Sequence, residues 1–155
     1  GGVGKTRLAQ EVAFALLDRF EDGVWWVDLA SLCDASLVAH TVALALNLPD
    51  DPTRSWLASL SNHLRDKDLL LVLDNCEHLI AESADLAGQL LSYGPRLRIM
   101  VTSREPLSIT GETIWSVPPL SLPCLEAKAS YQNLIQSEAG QLLLERARAS
   151  QPISC

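Results

Sequence analysis

An α/β fold wound around a parallel sheet is predicted by three observations. Apolar runs alternate with helical periods along most of the 155 residues, the order produced when strands are joined by right-handed crossover helices. The run from Leu69 to Leu73 is apolar at every position, as a strand covered on both faces requires, whereas a half-exposed strand alternates. Gly2-Val3-Gly4-Lys5-Thr6 opens a helical period, which puts glycines ahead of a helix N-terminus. With 48% hydrophobic residues, a chain of this length fills one core and is not wholly disordered.

Element by element, Leu8, Val12, Leu16 and Phe20 recur every four residues and predict one apolar helical face. Gly23 interrupts it, and Val24 to Val27 reads as a strand ending near Asp28. Asp34 is the expected N-cap of a helix whose stripe is Leu37, Val38, Val42, Ala45 and Leu46. Asp51-Pro52 is expected to cap the next helix, with Trp56, Leu57, Leu60 and Leu64 inward. The Leu69 to Leu73 strand ends at Asp74, and a helix from His78 to Ser92 stops at Gly94-Pro95. Leu97 to Val101 and Ile114 to Val117 are the remaining expected strands, and Glu138 to Ala149 the last helix. Trp25, Trp26, Trp56 and Trp115 fall within these patterns and are expected to pack in the core.

Charge and composition exclude several functions. Twelve Lys+Arg against 19 Asp+Glu leave a net charge of −7, which argues against direct nucleic-acid binding by this segment. The longest apolar run, Val12 to Leu17, is far short of a membrane span. Cys33, Cys76, Cys124 and Cys155 show no paired spacing, so reduced thiols in a cytoplasmic protein are expected. Cys76 and His78 are two donors without a second pair, too few for a metal site.

The glycine-rich start carries the clearest chemistry. A phosphate loop is Gly, four residues, then Gly-Lys-Ser/Thr. Counted back from Gly4, the first glycine falls just before Gly1, so the sequence opens inside the motif and reads as part of a longer chain. Glycines let backbone amides converge on phosphate oxygens, and the helix N-terminus adds its dipole. Lys5 is expected to neutralise the β- and γ-phosphates and Thr6 to complete a magnesium shell. Asp74, at the end of a buried strand, is the expected second magnesium group. Thr102-Ser103-Arg104 follows the next strand on the same sheet edge, where ligands of open α/β sheets collect, and Arg104 is placed to reach a γ-phosphate.

The segments GGVGKTRLA (1–9), VWWVDLA (24–30), LLLVLDNCEHL (69–79) and RIMVTSREPLSITGETIWSVPPLSLP (98–123) resemble the nucleotide-binding domain of signal-transduction ATPases, the STAND class that includes NB-ARC domains. More narrowly, they are similar to the ATPase module of large bacterial transcriptional regulators of the AfsR and LuxR-like type. SEAGQLLLERARA (137–149) resembles the helix that follows in that family. The resemblance implies a P-loop NTPase of the ASCE type, with a parallel sheet covered by helices on both faces and the first central strand lacking. Residues 1–123 are expected to form the nucleotide-binding core, and 124–155 a linker and helix leading towards a helical domain.

Carried over, the resemblance implies a Walker A run of Gly1, Gly2, Val3, Gly4, Lys5, Thr6 and Arg7 against ATP or ADP. Thr6 and Asp74 (Walker B) would hold Mg2+, and Arg104 would sense the γ-phosphate. It further implies an AAA-like ATP/ADP switch, self-association in the ATP state of the full-length protein, and DNA binding by a separate domain. Where many relatives have a second acid after the magnesium aspartate, this chain has Asn75. An amide can hydrogen-bond water but cannot accept its proton, so Asp74, Asn75 and Arg104 form a candidate catalytic set for slow hydrolysis at most. Glu77 lies close in sequence but needs a turn to aim it. The strand feeding the phosphate loop is expected between those ending at Asp74 and Thr102, and its absence is expected to leave a gap of unpaired backbone that makes this segment fold poorly alone.

Two other functions fit parts of the pattern. An interaction scaffold that keeps the fold without hydrolysis is favoured by Asn75 and opposed by Lys5, Thr6, Asp74 and Arg104 together. A small-molecule P-loop kinase needs an arginine-rich lid, and residues 105–136 contain no arginine.

Overall fold

Val24–Asp28 (β1), Leu70–Asp74 (β2) and Arg98–Val101 (β3) pair in parallel in the order β1-β2-β3. The register aligns Asp28 with Asp74 and Leu73 with Val101. The computed structural model describes residues 3–122 and 135–149 and divides into two units, Gly1–Trp115 and Ser116–Cys155.

Alternation along the strands sends side chains to two unequal cores. Trp25, Val27, Leu71, Leu73, Ile99 and Val101 meet the larger one, with Val42, Leu60, Leu64, Leu86 and Leu90 from three helices. Those helices are Val38–Ala45 (α2), Trp56–Leu64 (α3) and Ile80–Tyr93 (α4). On the opposite face, Leu70 and Val72 pack with Ala13 of Lys5–Ala15 (α1), joined by Leu16, Phe20, Val24, Trp26 and Met100. Every residue of β2 is buried because it is central and covered twice. The parallel sheet with helices on both faces is the predicted architecture.

The gap expected between β2 and β3, where the missing strand is placed, is closed. The two are direct hydrogen-bonded neighbours, Leu70 opposite Arg98 through Leu73 opposite Val101, so the predicted gap of unpaired groups does not exist. Direct pairing satisfies the backbone of the most buried strand on both sides.

Four smaller expectations also shift. The inward face of α1 is Ala9 and Ala13, whereas Leu8 and Val12 are 42% and 37% exposed. The α-helix ends at Ala15 and a 3-10 turn at Leu17–Arg19 follows. Asp51 holds the Thr53 N–H at 2.9 Å in a turn, while the cap of α3 is Ser55, whose Oγ accepts from Ala58 N at 3.2 Å. Asp34 caps a 3-10 turn, Ala35–Leu37, that leads into α2.

Residues 112–122 contain no strand. Ile114 and Trp115 are 64% and 80% exposed; without a strand partner among the described residues, the short apolar run gains nothing from extending. The other three tryptophans pack against the cores, and Trp56 lies 4.7 Å from the His40 ring. In the second unit, Glu138–Ala149 (α5) begins with a reciprocal pair: Ser121 N donates to Glu138 Oε2 at 2.8 Å and Glu138 N donates to Ser121 Oγ at 2.9 Å.

Candidate nucleotide site

The start of α1 and the carboxyl ends of β2 and β3 meet at one carboxylate. Asp74, 1% exposed, accepts the Thr6 hydroxyl at Oδ1 at 3.0 Å. The Thr102 hydroxyl donates to the same oxygen, and the Asn75 side-chain amide donates to Oδ2 at 3.1 Å. Thr6 and Asp74, 68 positions apart in sequence, are thus brought into contact.

Local backbone geometry makes this convergence possible. Gly4 precedes α1 at φ +87°, a left-handed conformation that glycine adopts without a Cβ penalty. No side chain caps α1 and no acid occupies its first turn, leaving an electropositive helix start. Asn75 is also left-handed, at φ 63°, a conformation asparagine tolerates. Its N–H is held by Thr102 Oγ at 3.0 Å, so the polar residue after β3 fixes the turn after β2.

The same turn reaches β1. Asn75 Nδ2 donates to Asp28 Oδ1 at 3.0 Å, and Ala30 N donates to that oxygen at 2.9 Å. The Ala30 N–H, then the Asn75 amide, hold the Asp28 carboxyl below the usual carboxylate range. Thr102 is expected at this edge only as part of the polar triplet after β3, and Asp28 is not among the expected site groups; the available signal is that Asp28, like Asp74, terminates an apolar strand run.

Arg104 is 3.3 Å from Glu77, Nε to Oε1. Glu77 sits in the 3-10 turn Cys76–His78 and is engaged by the arginine. Arg7 pairs with Glu11 at 2.6 Å on the exposed side of α1. Lys5 is the first residue of α1, Val3 precedes Gly4, and Gly1 and Gly2 lie outside the described residues. Cys76 is buried and its thiol is pushed up to about 11 by burial, and His78 Nε2 bonds Leu32 O at 2.8 Å; both belong to the scaffold. A cavity of about 320 Å³ against β3 and α4, lined by Ile99, Leu107 and Thr110 among others, includes none of these site residues.

The donor set suits magnesium: one hydroxyl and one carboxylate, all oxygen, with further ligands left to phosphate and water. Among the described residues no group of three or more His, Cys, Asp or Glu converges to hold a metal unaided. A metal held there would need its remaining ligands from outside these side chains.

The NB-ARC domain family pattern matches residues 1–144. The chain belongs to the NB-ARC family. A Mycobacterium tuberculosis (strain H37Rv) protein named "Putative HTH-type transcriptional regulator" is 43% identical over 152 residues, covering 98% of this chain and 16% of that protein. A second protein of that organism, named as uncharacterized, is 41% identical over 121 residues, 78% of this chain and 31% of its own length. The chain therefore spans about a sixth of the regulator it resembles. The crystal structure of Cdc6p from Pyrobaculum aerophilum superposes with a TM-score of 0.63 at 20% identity, over 96% of this chain and 41% of that one. That likeness agrees with the P-loop NTPase fold. No helix among the described residues of this NB-ARC chain is long and apolar enough to cross a membrane.

Proposed function

We propose that this NB-ARC segment is an ATP/ADP-binding switch module with slow Mg-dependent hydrolysis, acting within a larger, cytoplasmic bacterial transcriptional regulator. The observation that carries the reading is the 3.0 Å contact between the Thr6 hydroxyl and Asp74, which joins the phosphate-loop helix to the acidic end of β2. Thr6 and Asp74 would hold Mg2+, which when bound neutralises phosphate charge. Lys5 and the first-turn amides of α1 would face the phosphates, with Gly1, Gly2 and Val3 completing the loop. Arg7, tied to Glu11, contributes charge near the loop rather than a direct phosphate contact.

Slow hydrolysis follows from Asn75, which stands where a proton-accepting acid would serve. A module that holds ATP for long periods suits a switch, and Arg104 on the same sheet edge is the group placed to report the γ-phosphate. Self-association in the ATP state and DNA binding by another part of the full-length protein complete the proposal, the latter supported by the name of the 43% identical relative. Asn75 also keeps open the second reading, a scaffold that binds nucleotide without hydrolysing it.

Calorimetry with Mg-ATP and with Mg-ADP tests the assignment, with Lys5→Ala beside the unmodified protein. Binding that Lys5→Ala weakens roughly tenfold or more, as expected for loss of a charge-assisted phosphate contact, supports the switch. A folded protein indifferent to both nucleotides would sink it.

A further inference from the structure

We propose that Asp28, at the end of β1, supplies the proton-accepting carboxylate that is missing after Asp74, with Asn75 holding the attacking water. The inference rests on the ATPase reading above and assigns a residue to the hydrolytic step that reading leaves incomplete.

The argument begins from the register, which sets Asp28 directly beside Asp74 on the neighbouring strand. Asn75 bridges them, giving one side-chain N–H to Asp28 Oδ1 and one to Asp74 Oδ2. An amide with both hydrogens engaged presents its carbonyl oxygen as an acceptor only, so Asn75 Oδ1 can hold a water by one of that water's own hydrogens. The amide orientation is dictated by the two carboxylates, not left to rotate.

The three carboxylates on or next to Asn75 are not equivalent. Asp74 takes two hydroxyls and the amide and is buried. Glu77 is paired with Arg104. Asp28 is exposed, and both hydrogen bonds it receives within the protein fall on Oδ1. Its Oδ2 receives no hydrogen bond from the described residues, which leaves that oxygen available to accept.

In the step, the water oxygen bonds to the γ-phosphorus as the bond to the β,γ-bridging oxygen breaks. The electron pair leaves with ADP, the water proton passes to Asp28 Oδ2, and the exposed carboxyl returns it to solvent. Two hydrogen bonds make Asp28 a weak base, which agrees with a slow reaction.

The test exchanges the pair. The unmodified chain, Asp28→Asn, Asn75→Asp and the double variant are compared for Mg-ATP affinity, single-turnover hydrolysis and melting temperature without nucleotide. Asp28→Asn is expected to bind ATP within about twofold and hydrolyse roughly 100-fold more slowly, the usual scale for losing a general base. Asn75→Asp alone places three adjacent carboxylates together and lowers the melting temperature. The double variant restores both the melting temperature and, within about tenfold, hydrolysis. Asp28→Ser repeats the rate test if Asp28→Asn melts early.

Unchanged hydrolysis in Asp28→Asn overturns the inference, as does an unmodified chain that binds ATP without cleaving it, or a double variant that binds but stays inactive. An unmodified, folded chain that binds no nucleotide removes the proposed function instead, and the role of Asp28 with it.

Discussion

Arg104 and Glu77 are paired 3.3 Å apart beside the carboxyl ends of β2 and β3, with the arginine side chain 61% exposed and the glutamate 27%. A γ-phosphate would have to draw Arg104 away from this partner. Glu77→Gln is therefore expected to tighten ATP binding while leaving ADP binding unchanged. An exposed pair of this kind is worth about 0.2–1 kcal/mol, so the gain is at most about fivefold. Parallel titrations of ATP and ADP check it; equal gains for both nucleotides would show that Arg104 does not distinguish them.

Thr102 connects β3 to the turn after β2 by donating to Asp74 and accepting from the Asn75 N–H. Thr102→Val keeps the shape and removes both bonds. Leaving buried polar groups short of partners costs about 1–3 kcal/mol, to be read as a lower denaturation midpoint. A wild-type midpoint would mean that other groups hold Asp74 and the Asn75 turn.

Gly94 ends α4 in a crowded place. A Cβ there would stand 3.0 Å from Leu97 Cβ and 3.1 Å from the Leu64 carbonyl oxygen. Gly94→Ala is expected to destabilise by roughly 1–3 kcal/mol through overpacking, with no effect on nucleotide affinity beyond that of stability. Denaturant melts and calorimetry on the same sample separate the two effects.

His63 is driven below the ordinary histidine range by burial first, then by Lys67, with Asp22 opposing. The unfolded chain then binds more protons than the folded one below about pH 6.5. Stability accordingly rises with pH through that window, and is lost as pH falls from near 6.5 towards the lower folded value. His63→Gln should flatten this limb in melts recorded from about pH 7 to pH 5. The carboxylates of Asp22, Asp28, Asp34 and Asp51 are all lowered by hydrogen bonds. Their contribution is present above the unfolded carboxylate value and falls away only in stronger acid, so it does not obscure the histidine limb.

Much of this architecture is carried by local pattern. Five apolar residues before Asp74 predict a doubly covered strand, and Leu70–Asp74 is buried throughout. Glu138 to Ala149 is predicted and found, and the family match over residues 1–144 takes in all three strands of the sheet. The misses share a cause: each depends on what lies opposite. A period of four fits both Leu8–Val12 and Ala9–Ala13, and only the distance to β2 selects the alanines, since small side chains let the helix approach closely. Sheet order is likewise not written in any single strand, so the adjacency of β2 and β3 could not be read from either. Within the site, Thr6, Asp74, Asn75 and Arg104 stood out by motif, whereas Asp28 entered through inter-strand register, and Glu77 through a turn whose direction spacing alone does not give.

The two faces of the sheet differ in how firmly they anchor their helices. Helices α2, α3 and α4 share a large core, while α1 buries only Ala9 and Ala13 fully. Few buried apolar contacts mean a low free energy of local opening, so α1 is the element expected to exchange its amide hydrogens fastest among the helices of its unit. Thr6 and Asp74 then stand on the two sides of a seam between α1 and the strand that borders the large core. A ligand gripping both sides of that seam would close it by mass action, turning occupancy of the loop into rigidity of one helix.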